Sequence, residues 1–354
     1  MKPDTQPIFV HSLWRAGSTY LFQAFRRADG RYWAYQEPVH EAALQAQNDP
    51  QRLAADSPEQ TLALRHPPLQ QGYLYELQQT HAAWRDKISK KLIYDDYFST
   101  AADQPLFAYY QALIQAAPVR PVLQDCRTSA RIGAIKNVLG GVHIYLWRNP
   151  WDQWWSFQIN DYFPAVLQVI LNADSPPPAI QALKKQINFQ EFHAQQIQEE
   201  ISHFMMHPLD PATDYLVFYT IWATSLLEGL AAADLLLNID RLSSSQAYRV
   251  RTQARLEKKG IGGLQFADCK VPMAWYAQED TEFFVPLEEE AHQLLLGAGT
   301  SAKALQCLQS LRQQFSPKPR ATIAHLQEDL RRARNIAHRQ TVNVSRTAKP
   351  ELSS

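Results

Sequence analysis

Two separated segments hold the residue types that bind anions. The first, Ser12-Leu-Trp-Arg15-Ala16-Gly17-Ser18-Thr19-Tyr20, follows a short apolar run at 8–10 and leads into Tyr20, Leu21, Ala24 and Phe25 at helical spacing. A loop between a strand and a helix N-terminus gathers backbone N–H groups, and the helix dipole adds positive potential, so a phosphate or sulfate fits there. Gly17 lets the backbone come close to an anion, Ser18 and Thr19 offer hydroxyls, and Arg15 brings a permanent charge. The same residues also suit a plain helix start, with Ser18 or Thr19 as the cap and Arg15 in water. The Walker A string, GxxxxGK followed by Ser or Thr, is absent, which disfavours magnesium-nucleotide chemistry.

The second segment leaves the β-prone run at 142–147 as Arg148-Asn149-Pro150, and Ser156 follows eight residues after Arg148. Pro150 suits the first turn of a new helix. A third, Tyr35-Gln-Glu37-Pro38-Val-His40-Glu41, offers a carboxylate and an imidazole that could take a proton from a hydroxyl, with Glu37 the first choice of base and His40 the second. The turn Lys258-Lys259-Gly260-Ile-Gly262-Gly263 combines two cations with three glycines, the make-up of an ordinary flexible turn.

In residue type and spacing, the first two segments resemble the two cofactor motifs of the sulfotransferase family. The first is similar to its 5′-phosphosulfate loop, a Lys or Arg followed by Ser-Gly-Ser/Thr-Thr, with Ala16 here in place of the usual serine. The second is similar to its 3′-phosphate motif, Arg-Asn/Asp-Pro with a serine eight residues after the arginine. The resemblance implies a P-loop-like α/β fold and 3′-phosphoadenylyl sulfate (PAPS) as donor, with no metal. It further implies that Arg15, Ala16, Gly17, Ser18 and Thr19 hold the 5′-phosphosulfate and that Arg148 with Ser156 holds the 3′-phosphate. Lys258, Lys259 and Gly260 would close over the donor. Glu37 or His40 would deprotonate a hydroxyl on a carbohydrate or other small acceptor. Two alternatives stay open: a P-loop-like kinase or other nucleotide enzyme, and a non-catalytic donor-binding protein on a sulfotransferase scaffold.

The elements that must position these residues read as strand, loop and helix in alternation. Strands are expected at 8–10, 91–94, 142–147 and 234–240, with a further short apolar run from Pro121, and helices at 129–139, from about Trp151 and at 215–232. Such alternation implies a mainly parallel sheet with helices on both faces and ligands at the carboxyl ends of the strands. Residues 41–90 and 157–213 read as largely helical acceptor-side insertions within an α/β domain spanning 1–316. The stretch 317–354 reads as a basic C-terminal helix and tail, with eight Lys and Arg against three Asp and Glu. Trp147, Trp151, Trp154 and Trp155 are expected mostly to pack, His11 to be a hydrogen-bonded core histidine, Lys136 to lie on a solvated face, and Asp240 to orient a basic residue.

Composition narrows the choices. The 35 basic and 35 acidic residues cancel, so no global field draws in nucleic acid, and positive charge for an anionic ligand has to be local. Three dispersed cysteines suggest neither a disulfide framework nor a zinc pair and fit a reducing, cytoplasmic compartment. No run approaches about 18 apolar residues, so no transmembrane segment is expected, and the opening residues do not read as a secretory signal. Only twelve glycines occur, about half the usual share, so their positions carry information.

Overall fold

The computed structural model describes residues 6–54 and 71–314. The amphipathic stretch and tail expected at 317–354, and part of the 41–90 insertion, lie outside the described residues. Five strands form one parallel sheet: β1 (Ile8–His11), β2 (Tyr32–Gln36), β3 (Arg120–Asp125), β4 (Val142–Trp147) and β5 (Leu235–Asn238), in the order β2-β3-β1-β4-β5. The expected parallel α/β arrangement is present.

Both faces of the sheet are covered, and the strand residues divide between them with period two. Ile8, Val10, Val122, Ile144, Leu146, Leu235 and Leu237 join one core with Leu21, Phe22 and Phe25 of α1 (Ser18–Arg26). Phe9, Leu123, Tyr145 and Trp147 join the other core. There they meet α2 (Pro105–Ala116), α3 (Ile132–Leu139), α4 (Pro150–Phe157) and the helices beyond it. These are α5 (Tyr162–Leu171), α6 (Pro178–Gln186), α7 (Ile197–Met206) and α8 (Pro211–Ala232). Then α9 (Gln246–Glu257) packs its Leu256 into the first core, whereas α10 (Gln278–Gly297) and α11 (Ala302–Gln314) join the second. By length and composition α8 could cross a membrane, yet 67% of its apolar window is buried within the protein, as befits a core helix.

Two sequence expectations need correcting. Residues 91–94 do not form a strand: Lys91–Asp95 is a single π-helical turn that drives Leu92, Ile93 and Tyr94 into the core. Buried Arg131 donates to the carbonyls of Leu92 at 2.7 Å and Asp96 at 3.0 Å, satisfying backbone acceptors without a neighbouring strand. One outer strand of the sheet is instead β2, whose alternation is hidden because Tyr32 and Trp33 are only half-buried while Ala34, Tyr35 and Gln36 are buried on both faces. The helix expected at 129–139 starts later, at Ile132. It ends at Gly140 as expected, and Gly141 must be glycine for a different reason: at φ 93° an added Cβ would sit 2.6 Å from the Pro7 carbonyl oxygen.

The strand order places the site. After β1 the chain leaves toward β2 and β3, whereas after β4 it leaves toward β5, on the other side. Adjacent strands whose connections diverge open a crevice at their carboxyl ends. His11 pairs with Tyr145, so β1 and β4 run level, and Arg15 and Arg148 emerge on either side of that crevice.

Candidate functional site

The loop after β1 is built to be rigid. Ser12 N–H donates to the Asp125 carbonyl at 3.2 Å, and its hydroxyl lies 3.5 Å from the buried Cys126 thiol. Arg15 and Gly17 both take left-handed backbone, at φ 63° and 89°. That conformation is costly for arginine and persists only when neighbours hold it. α4 supplies two such holds: Gln153 Nε2 donates to the Trp14 carbonyl at 2.8 Å, and Arg15 Nε donates to Ser156 Oγ at 2.9 Å. The Phe163 ring covers the Arg15 guanidinium at 5.4 Å. At Gly17 a Cβ would collide with Ile239 Cγ1 at 2.6 Å. The first turn of α1 has no acidic residue and no side-chain cap, an arrangement that favours an anion at its amides.

Across the crevice, Asn149 Oδ1 caps α4 by accepting from Trp151 N–H at 3.0 Å. Arg148 is almost wholly buried; its Nε donates to Asp240 at 3.4 Å and its Nη2 donates to the Pro272 carbonyl. The other Asp240 oxygen accepts from Asn149 N–H at 2.8 Å, so Asp240 orients the basic residue as expected. Burial raises the pKa of Asp240, with Arg148 opposing. Asp152 accepts from Ala274 N–H at 2.8 Å and from the Tyr276 hydroxyl at 2.9 Å, fastening residues 272–276 over α4. Trp147, Trp151 and Trp154 pack in the core, whereas Trp155 is 48% exposed.

Beside the loop lies a buried charge cluster. Arg127, with no exposed surface, donates from Nη1 to Glu37 Oε2 at 2.8 Å, from Nη2 to Glu41 Oε2 at 2.7 Å and to the Tyr162 hydroxyl at 3.0 Å. Tyr73 donates to Glu37 Oε1 at 2.8 Å, Tyr94 donates to Glu41, and the Trp14 indole covers the guanidinium at 5.0 Å. Burial alone would raise both carboxyls, but Arg127, and after it His40, outweighs burial: Glu37 is held below its usual range and Glu41 down to about 2. His40, more exposed, accepts at Nδ1 from Ala42 N–H at 3.0 Å and lies 3.1 Å from Glu41. Beneath the cluster, Asp125 accepts from Arg127 N–H at 2.7 Å and Val39 N–H at 2.8 Å, and burial pushes it up to about 6.

The structure therefore gathers Arg15, Ala16, Gly17, Ser18, Thr19, Arg148 and Ser156 around one crevice, with Glu37 and His40 at its β2 side. Within it, Ser156 bonds Arg15, whereas Arg148 bonds Asp240 and Pro272. Lys258, Lys259 and Gly260 are not part of this gathering. Lys259 pairs with Asp234 at 3.1 Å, and the Gly260 carbonyl accepts from Arg120. Asp234 precedes β5 and Arg120 opens β3, so the turn lies at the amino ends of the strands, across the sheet from the crevice. Lys136, expected in water, also binds there, donating to the Ala232 carbonyl at 2.9 Å and pairing with Asp234 at 3.2 Å.

Arg127 was missed by the sequence reading, although a signal existed. Glu37 and Glu41 stand four apart next to a proposed site, and Asp125-Cys-Arg127 follows a short apolar run that ends at the sheet's carboxyl edge. Among the described residues no group of three or more His, Cys, Asp or Glu could hold a metal ion. No family model, no curated protein and no solved structure matches the chain.

Proposed function

We propose that the protein is a sulfotransferase that moves a sulfuryl group from PAPS to a hydroxyl on a small-molecule or carbohydrate acceptor. The observation that supports this best is the 2.9 Å hydrogen bond from Arg15 to Ser156, which joins two motifs 141 residues apart at the crevice between β1 and β4. In this reading a P-loop-like loop, residues 15–19, receives the 5′-phosphosulfate. Arg148 and Ser156 receive the 3′-phosphate, Arg148 exchanging the Pro272 carbonyl for a phosphate oxygen.

The transfer needs mostly position and charge. The acceptor oxygen attacks sulfur, the bond between sulfur and the 5′-phosphate oxygen breaks, and adenosine 3′,5′-bisphosphate leaves. Arg15 neutralises the charge that grows on the leaving phosphate. Glu37, kept ionised by Arg127, takes the acceptor proton at Oε1, where Tyr73 now donates; His40 is the second choice. The reaction calls for no metal, and the enzyme is assigned to the cytoplasm, with no nucleic-acid or membrane partner.

Calorimetry with adenosine 3′,5′-bisphosphate, followed by transfer of label from [35S]PAPS to a panel of alcohols and sugars, tests the proposal. Binding and transfer support it. Absence of both overturns it, magnesium-dependent phosphoryl transfer from ATP assigns the crevice to a kinase, and binding without transfer leaves a donor-binding scaffold.

A further inference from the structure

A cavity of about 300 Å³ opens between α4, α5, the end of α7 and the start of α8. Its walls are mostly apolar, with Trp155, Pro164, Met205, Leu209 and Pro211 among them, and Trp155 and Met205 stand 48% and 41% exposed. Large apolar side chains grouped at one opening mark a surface that gains from being covered. The charge at the opening has a single sign: Asp161 and Asp214 line it, and no lysine, arginine or histidine does. Asp214 Oδ2 already accepts from Trp154 Nε1 at 2.6 Å and from Gln158 Nε2 at 2.9 Å, whereas Asp161 makes no side-chain hydrogen bond among the described residues. A cover that fits these walls presents an apolar stripe bordered by cations.

This chain carries such a segment past the described residues. Ile323, Leu326, Leu330 and Ala333 recur at the spacing of one helical face, and Arg331 and Arg334 border that face. Where α11 ends brings the segment within reach. Arg312 Nη2 donates to Glu288 Oε1 at 2.8 Å, and its guanidinium lies over the Trp151 ring of α4 at 5.1 Å. The Tyr215 hydroxyl donates to the same Glu288 oxygen at 2.8 Å, and the Trp154 ring, which lines the cavity, lies 5.4 Å from the Tyr215 ring. Three successive side-chain contacts thus lead from the last turn of α11 to the cavity wall. The eight residues 315–322 extend up to about 28 Å, longer than that path.

We propose that residues 323–336 of this chain dock their apolar stripe in the cavity, with the arginines that border it matched to Asp161. The wall chemistry, the sign of the charge and the exit point of α11 all select this occupant, and none of them depends on the transferase reading.

The test uses the full-length protein. Hydrogen exchange read by mass spectrometry follows the amides of 323–336, and mild peroxide oxidation compares Met205 with Met206, which is 72% exposed. The expected result is exchange in 323–336 slower than that of an unstructured chain by about tenfold or more. Met205 should be oxidised more slowly than Met206 by about tenfold, a gap larger than their exposures of 41% and 72% give alone. Leu326→Asp combined with Leu330→Asp, which leaves every described side chain in place, should abolish both protections. Met205→Lys, checked for folding by a thermal melt, should release 323–336 from the other side. Exchange of 323–336 at the unstructured rate, or protection there that Met205→Lys does not alter, overturns the proposal. Protection lost on roughly hundredfold dilution, with dimers seen by sedimentation, overturns it as well and assigns the cavity to a second copy of the chain.

Discussion

The two ends of the sheet carry loops of similar composition, each with cations beside glycine, and they use charge in opposite ways. At the carboxyl ends Arg148 and Arg127 are buried, and Arg15 is half-buried under Phe163 and bonded to a neutral hydroxyl. At the amino ends Lys136 and Lys259 share Asp234, with side chains 35% and 43% exposed. Arg127 and Arg148 are paired too, with Glu37, Glu41 and Asp240, but charge held in a dry crevice is weakly screened, whereas the lysine pairs are partly open to water and screened more. The difference teaches that a basic, glycine-rich string is not a site until topology decides which edge of the sheet it reaches.

The contrast should break most severely at Arg127. In Arg127→Met two carboxylates stay buried without their cation, a loss of about 3–5 kcal/mol of stability, or on the order of 10 °C in melting temperature. A melt shifted by less than about 2 °C would mean that Glu37 and Glu41 take up protons at little cost, and that the cluster does not depend on its ion pairs.

A pH titration of stability sharpens the comparison, because a chain of buried groups joins the two edges. His143 Nε2 lies 2.9 Å from the Gly140 carbonyl and so carries the proton, which leaves Nδ1 to accept from His11 Nε2 at 3.0 Å; His11 Nδ1 then accepts from Thr128 at 2.8 Å. Burial lowers both histidines, His143 from 6.5 to about 4. A lowered pKa gives stability that is complete above 6.5 and lost as pH falls toward 4, because the unfolded chain takes up the proton first. His143 alone should contribute about 3 kcal/mol to that loss, while Asp125, raised to about 6, acts in the opposite direction. Chemical denaturation of wild type and His143→Asn between pH 7 and pH 4 measures the difference in slope. Parallel curves would show that the histidine chain carries no such linkage.

Next in size is Arg15→Ala. The side chain is only half-buried, so the fold should persist, while turnover falls about a hundredfold or more through loss of charge at the leaving phosphate. Near-normal label transfer from [35S]PAPS would remove Arg15 from its assigned role.

Much of this arrangement was legible in the sequence, and the misses share a cause. β1, β4 and β5 announced themselves because each is a compact apolar run next to a turn, and the loop at residues 12–19 and the Arg148 junction stood out for the same reason. What the sequence hid was long-range. The run at 91–94 has strand-like residues, yet Arg131, about forty positions away, satisfies its carbonyls and lets it coil. β2 was concealed because Tyr32 and Trp33 lie half-exposed at the edge while Gln36 is buried. Glu37 read as a base, and only its contact with Arg127, 90 residues on, shows the buried ion pair that keeps it charged.

The smallest effect is the most diagnostic for the comparison. Lys259→Ala removes one of two cations from Asp234, which keeps Lys136 at 3.2 Å and the His143 N–H at 2.9 Å. Since the lysine is partly exposed and Asp234 keeps two other partners, stability should change by less than about 1 kcal/mol. Because the turn lies across the sheet from the crevice, affinity for adenosine 3′,5′-bisphosphate should not change at all within calorimetric error. A large loss of affinity would require residues 258–263 to reach the donor despite their anchoring to Asp234 and Arg120. The crevice would then draw its positive charge from both edges of the sheet.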